Sequence, residues 1–208
     1  LLVCLLALPG AGGCSRASSP VSLEYPKQGH RNGDYPRVLA RWTRSAKVVK
    51  LEDLDTSIKV HATCHSPDFI SAYVARYEHL FKISGRERRE LLQRMNHTWE
   101  EGAYPFVVAA ATTDYRHNDF DQQDSVWRIS LVNDMEQQVA PMELRAFRRV
   151  TATVREFYPY ARRFYRVYYL RFPKRLSDGT PLVRKGTRYL SLRFSGPLGR
   201  ADLIWKLR

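Results

Sequence analysis

Three stretches of this sequence hold residue types that could do chemistry. The first is His61-Ala62-Thr63-Cys64-His65, which carries the imidazole and thiol ligands that zinc takes at about 2.0–2.3 Å. On a strand, His61 and His65 share one face but stand about 13 Å apart by backbone rise, and Cys64 points to the other face. The trio can meet on one ion only if the chain turns at Cys64; otherwise Cys64 is a small apolar filler. The second stretch is DYRHNDFDQQD, which places Asp114, Asp119, Asp121 and Asp124 beside His117. Carboxylates at that density suit a divalent cation, since calcium takes about six to eight oxygen ligands. The stretch lacks the glycine and closing glutamate of a calcium loop, so a solvated loop tip explains it equally well.

The third stretch runs from 145 to 175. Arg145, Arg148, Arg149, Arg155, Arg162, Arg163, Arg166, Arg171, Lys174 and Arg175 alternate there with Phe147, Phe157, Tyr158, Tyr160, Phe164, Tyr165, Tyr168, Tyr169 and Phe172. Arginine interleaved with aromatics lines single-stranded nucleic-acid grooves, and the same chemistry holds phosphate-bearing lipids or acidic glycans. Arg145, Arg148, Arg149, Arg162, Arg163 and Arg166 are the candidate anion-binding residues. Strand alternation, with aromatics inward and arginines outward, would produce the same text.

No nucleophile elbow, phosphate loop or zinc-binding helix pair is present in the sequence, and these are the motifs that carry a mechanism by themselves. Glu100 and Glu101 are adjacent, and adjacent helical residues do not face each other. No catalytic set and no cofactor emerges, which favours a binding or assembly role over an enzyme.

These residues must be positioned by a chain whose periodicity changes several times. RWTRSAKVVK, 41–50, and SIKVHATC, 57–64, read as half-buried strands flanking a break at LEDLD. Ser66-Pro67 is a helix start, and Phe69, Ile70, Tyr73, Val74, Tyr77, Leu80 and Phe81 recur at helical spacing. Ser84 to Glu87 fits a capping box for a second helix carrying Leu91, Leu92, Met95 and Trp99. Beyond Tyr104 strands dominate, although 142–160 reads as either strand or short helix. Gly196-Pro197-Leu198-Gly199 is a hairpin turn between the last two strands. Seven to nine strands with turns between them predict a mainly β fold. The expected architecture is an antiparallel immunoglobulin-like β-sandwich with an αα-hairpin inserted at about 66–101.

The first 13 residues, LLVCLLALPGAGG, carry no charge and are too short for a bilayer span of about 20 residues. They match the apolar part of a signal peptide followed by small residues. The basic leading segment is missing, so we read the sequence as truncated at its amino end. Ala11-Gly12-Gly13-Cys14 resembles the lipobox of bacterial lipoproteins, with Ala11 where that family most often has Leu. The resemblance implies cleavage before Cys14, lipid on its thiol, and a membrane-tethered mature protein. Ser15, in place of the Asp linked to inner-membrane retention, implies the outer membrane in a Gram-negative source. The expected organisation is a signal peptide over 1–13, a flexible tether over 14–40 and a folded domain over 41–208.

The totals agree with such an address. The 208-residue chain has a formal net charge of +13 and 44% hydrophobic residues, enough for a packed core and a bias toward anionic partners. Its three cysteines, Cys4, Cys14 and Cys64, leave one in the domain, which disfavours a disulfide scaffold. The leading expectation is a lipid-anchored cell-envelope protein. Its partners are the membrane, anionic lipid or glycan, and other envelope proteins, with nucleic acid disfavoured by the address. Two alternatives remain: an envelope hydrolase using a metal in the acidic loop, and a secreted nucleic-acid binder.

Overall fold

The computed structural model describes residues 19–49 and 56–208. The signal segment, Cys14 and the break expected at 51–55 lie outside these. The described chain forms two antiparallel sheets and four α-helices. One sheet orders its strands β1-β2-β3-β7-β6, where β1 is Thr43–Val49, β2 Thr56–Cys64, β3 Ala103–Thr112, β7 Arg166–Pro173 and β6 Glu143–Ala146. The other runs β5-β4-β8-β9, with β5 at Gln138–Val139, β4 at Arg128–Asn133, β8 at Tyr189–Gly196 and β9 at Gly199–Lys206. The helices are α1, Tyr35–Trp42, α2, Pro67–Phe81, α3, Gly85–Glu100, and α4, Ala152–Phe157.

Period-two patterning decides which faces meet. Ile58, Val60, Ala62 and Cys64 of β2 are buried on one face, while Lys59 on the other is exposed. β3 is buried on both faces from Ala103 to Ala110, as a central strand covered from two sides must be. The facing sides share one core. Phe106 of β3 meets Trp205 of β9 at 5.3 Å between ring centroids. Phe120 lies against Tyr168 of β7 at 4.8 Å and Phe194 of β8 at 5.4 Å.

α2 and α3 occupy the stretch between β2 and β3, and their caps are those expected. The Ser66 hydroxyl accepts from the Phe69 amide, and Ser84 and Glu87 form the reciprocal capping box. α2 buries Phe69, Ile70, Ala72, Val74 and Ala75, whereas α3 buries only Trp99.

The folded part starts earlier than the expected Arg41. Val21 is buried, and its amide donates to the Lys206 carbonyl at 2.9 Å, joining it to the end of β9. Residues 35–42, expected as tether and the start of a strand, are helical. Tyr35, Val38, Leu39 and Trp42 recur at i, i+3, i+4 and i+7, and all four are buried, so the helical period wins. β1 begins only at Thr43. The ambiguous 142–160 stretch contains both elements: β6, then α4, capped by the Thr151 hydroxyl on the Val154 amide.

One chain of hydrogen bonds ties these parts together. The Trp205 indole donates to the Trp42 carbonyl at 2.9 Å, and the Trp42 indole donates to the Asp68 carboxylate at 2.7 Å. Asp68 also takes Arg41 at 3.1 Å and His30 Nε2 at 2.7 Å. Burial raises the Asp68 carboxyl pKa, but Trp42, His30 and Arg41 together outweigh burial and hold it below the usual value.

Two outcomes follow from this core. Trp205→Ala removes a ring that is 2% exposed and should cost about 3–5 kcal/mol in chemical denaturation, the range for truncating a large buried aromatic. An unchanged midpoint would show that β9 is not part of the core. The second outcome is pH-dependent. A carboxyl with a lowered native pKa contributes stability in full above its unfolded value near 4, and loses it as pH falls through the native value. Asp68→Asn should therefore be less stable at neutral pH and lose less on acidification, read as melting temperature against pH. Parallel pH profiles for parent and variant would contradict this.

Candidate anion-binding face

The chain leaves the edge strand β6 at Ala146, paired with Tyr168, and returns as β7 at Arg166, paired with Ala110. Residues 147–165 form one excursion between these points, and its aromatic residues pin it. Tyr158 Oη and His65 Nε2 are 2.7 Å apart, and Tyr160 Oη lies 2.6 Å from the Thr63 hydroxyl. The Tyr160 ring also stacks on His61 at 5.4 Å, and Tyr165 packs on the same imidazole at 5.7 Å. Phe157, Tyr158 and Ala161 are buried. The arginines cannot follow the rings inward, because an unpaired buried cation is too costly. Arg148, Arg149, Arg162 and Arg163 are exposed.

At the far end of the excursion the Tyr165 amide donates to the Arg162 carbonyl at 3.0 Å. That bond closes a turn with Arg163 and Phe164 at its central positions. Phe164 is 84% exposed, and the Arg163 guanidinium lies 5.9 Å from its ring. Strand alternation accounts for Tyr168 and Phe172, which are buried, but not for Phe164.

The six candidate arginines separate into two kinds. Among the described residues, Arg148, Arg149, Arg162 and Arg163 have no carboxylate within ion-pairing distance. Arg145 pairs with Glu143 at 2.8 Å and covers the Tyr169 ring at 4.9 Å. Arg166 is a strut. It donates to the Asn118 carbonyl at 2.9 Å, pairs with Asp121 at 3.1 Å and lies over Tyr168. Grouping Arg166 with Arg162 and Arg163 by closeness in sequence thus joins a bound cation to two unpaired ones.

Register places the four unpaired arginines toward one end of the five-stranded sheet, where β6 leaves and β7 enters. Exposed Lys59, opposite Ala111 on β3 and Lys47 on β1, belongs to the same end. His61 senses these cations: burial first, then Lys59 and Arg162, push its pKa below the ordinary value.

The acidic loop lies next to this end, but its carboxylates do not converge. Asp114 is engaged by Arg116, whose guanidinium and amide hold its carboxyl down to about 2. Asp119 accepts from Ser125 at 2.8 Å, Asp121 is paired with Arg166, and Asp124 is exposed. Among the described residues no group of three or more His, Cys, Asp or Glu is placed to hold a metal. The 61–65 trio is likewise apart. Cys64 is buried toward the second sheet, and burial pushes its thiol pKa well up. His65 stacks on Phe69 at 4.9 Å, and burial takes its pKa down to about 3.

Two features escaped sequence reasoning. One is the exposure of Phe164 and of Tyr115, 84% and 83%, which periodicity cannot show for loop residues. The other is the setting of Lys174, which the sequence marks only as one cation of the basic stretch and which lies at the opposite end of β7 from Arg166. Its Nζ donates to the Trp99 carbonyl at 2.5 Å and lies 4.1 Å from the Trp99 ring. Burial lowers its pKa to about 8. A recess of about 700 Å³, bordered by Glu100, Tyr104 and Arg175, opens beside it.

No family model matches this chain, and no curated protein matches its sequence. A solved structure described as a novel protein of unknown function from Burkholderia pseudomallei K96243 is similar at 14% identity, covering 82% of each chain with a TM-score of 0.43. A likeness of that degree carries no functional argument.

Proposed function

We propose that this is a lipid-anchored bacterial cell-envelope protein whose basic end binds an anionic envelope surface, in a binding or assembly role. The observation that carries the reading is the set of four exposed arginines with no carboxylate partner among the described residues, two of them, Arg162 and Arg163, in the turn with exposed Phe164, on a tyrosine-pinned excursion. A phosphate-rich surface rewards guanidinium groups held in position. The anchor rests on Ala11-Gly12-Gly13-Cys14, and through it the proposed partners are the outer membrane, anionic lipid or glycan, and other envelope proteins. The finer architecture belongs to the same proposal: a β-sandwich of immunoglobulin-like type with α2 and α3 as an inserted αα-hairpin. The shared core supports the sandwich, and the neighbouring order β1-β2-β3 is what an immunoglobulin-like topology has to accommodate.

The anchor and the face are tested separately. Expressed behind a complete signal, the protein should partition into detergent, and Cys14→Ala should release it to the aqueous phase. Equal partitioning would end the lipoprotein reading. For the face, the full chain carrying Cys14→Ser should co-sediment with phosphatidylglycerol-rich vesicles in excess of zwitterionic ones. That excess should fall steeply with salt, since exposed charges are screened over about 8 Å at physiological ionic strength. Reversing Arg148, Arg149, Arg162 and Arg163 to Glu should weaken binding at least a thousandfold, at about 1 kcal/mol per basic residue. The melting temperature should stay unchanged, because none of the four is buried or paired with a carboxylate among the described residues. A parent that ignores anionic vesicles and acidic glycans alike would refute the face as a binding site.

A further inference from the structure

We infer that the recess between the end of α3 and the end of β7 is a binding site for a free α-amino acid with an apolar side chain. The inference goes beyond the arginine face, which lies at the other end of β7, and needs neither the anchor nor an anionic surface.

Two walls make the recess. On one side α3 ends at Glu100, and Gly102, at a φ of 84°, turns the chain into β3 and Tyr104. On the other, β7 ends at Pro173, and the chain loops back through Pro181 to Val183. The Lys174 amide donates to the Gly102 carbonyl at 2.8 Å, and the Leu182 amide donates to the Lys174 carbonyl at 2.8 Å. Backbone bonds therefore hold both walls before a ligand arrives, which lowers the ordering cost of binding. The volume of about 700 Å³ falls in the range of small-molecule sites, about 300–1,000 Å³.

The charges bordering this space are opposite in sign and unmatched. Among the described residues, Glu100, Lys174 and Arg175 have no ionic partner within pairing distance. Glu100 accepts from the Tyr25 hydroxyl at 3.1 Å. Lys174 spends one donor on the Trp99 carbonyl, and Arg175 spends one on the Gly179 carbonyl at 2.7 Å. An ammonium has three donors and a guanidinium five, so both retain donors for a carboxylate. Glu101, by contrast, is already taken by Arg171 at 3.5 Å and His97 at 3.1 Å. Lys174 is half-buried, and a cation withdrawn from water without a counter-ion carries a cost that an anion would offset.

A ligand with a carboxylate and an ammonium group on one carbon supplies both missing charges. Its carboxylate answers Lys174 and Arg175, and its ammonium answers Glu100. A simple carboxylate would leave Glu100 facing a like charge, and a simple amine would do the same to the two cations. Pro173, Pro181 and Val183 border the same space and offer an apolar side chain the surface that water does not.

The test titrates phenylalanine and leucine into the full chain at neutral pH. Beside them go 3-phenylpropionate, which lacks the ammonium, and 2-phenylethylamine, which lacks the carboxylate. Binding is read as shifts of the Trp99 indole and the Gly102 and Lys174 amides in proton–nitrogen NMR spectra. Phenylalanine should bind about tenfold or more tightly than either analogue, the scale of one charge-assisted hydrogen bond. Glu100→Gln should cancel its advantage over 3-phenylpropionate. Arg175→Gln should weaken phenylalanine and 3-phenylpropionate alike. Both residues are exposed, so the melting temperature should hold in each variant. If 3-phenylpropionate binds as tightly as phenylalanine, or Glu100→Gln leaves phenylalanine affinity unchanged, the amino-acid assignment is overturned. If neither phenylalanine nor leucine shifts these signals, the site itself is overturned, and the arginine face stands or falls on its own test.

Discussion

The Trp42 indole donates to Asp68 while the Trp42 carbonyl accepts from the Trp205 indole, and through these two bonds three elements hold one another in place. Asp68 belongs to α2, Trp42 closes α1 just before β1, and Trp205 lies on β9 of the second sheet. All three side chains are largely withdrawn from water, so each polar group depends on its partner for the hydrogen bond that solvent would supply. Replacing any one leaves a buried donor or acceptor unmatched. Because Trp205 also packs on Phe106, the same residue joins this polar chain to the apolar core between the sheets.

Fixing the sheets relative to one another has a consequence at the other end. β6 and β7 become rigid posts, and the nineteen residues between them, 147–165, must close over the outer face of β2 and β3. Tyr158, Tyr160 and Tyr165 make that closure by seating on His65, Thr63 and His61. With the rings committed to the sheet, the arginines between them have only solvent to enter. The unpaired charge is thus the other side of the aromatic packing, and it is displayed on a held backbone. If the face binds an anion as proposed, a backbone held beforehand reduces the ordering cost of that binding.

Much of this architecture is legible in the sequence where a single period runs long enough. The alternation of Ile58, Val60, Ala62 and Cys64, the Ser66-Pro67 start and the Ser84–Glu87 box each name a local physical event, and the structure has each of them. α1 is hard to see in the sequence because Gly29, Gly33 and Pro36 suggest a linker. The signal lay in Tyr35, Val38, Leu39 and Trp42, whose helical spacing outweighs the turn-forming residues around them. The acidic loop misled in another way. Composition puts four aspartates close together, but only the tertiary structure shows that Arg116, Ser125 and Arg166 already occupy three of them. The arginine face was half legible: sequence marked the cluster, but could not separate the strut Arg166 from the unpaired Arg162 and Arg163. That distinction depends on Asn118 and Asp121, more than forty residues away.

The central proposal is that the Arg162–Tyr165 turn, and not the chain entry at Val21, is where an anionic surface binds. Amide hydrogen exchange on the full chain, with and without phosphatidylglycerol-rich vesicles, reads both ends at once. The account predicts added protection at 147–149 and 161–165, with 20–27 and 204–208 exchanging as they do in solution. Protection gathered around Val21 and Leu207, or no change at the Arg162–Tyr165 turn despite binding, would contradict it.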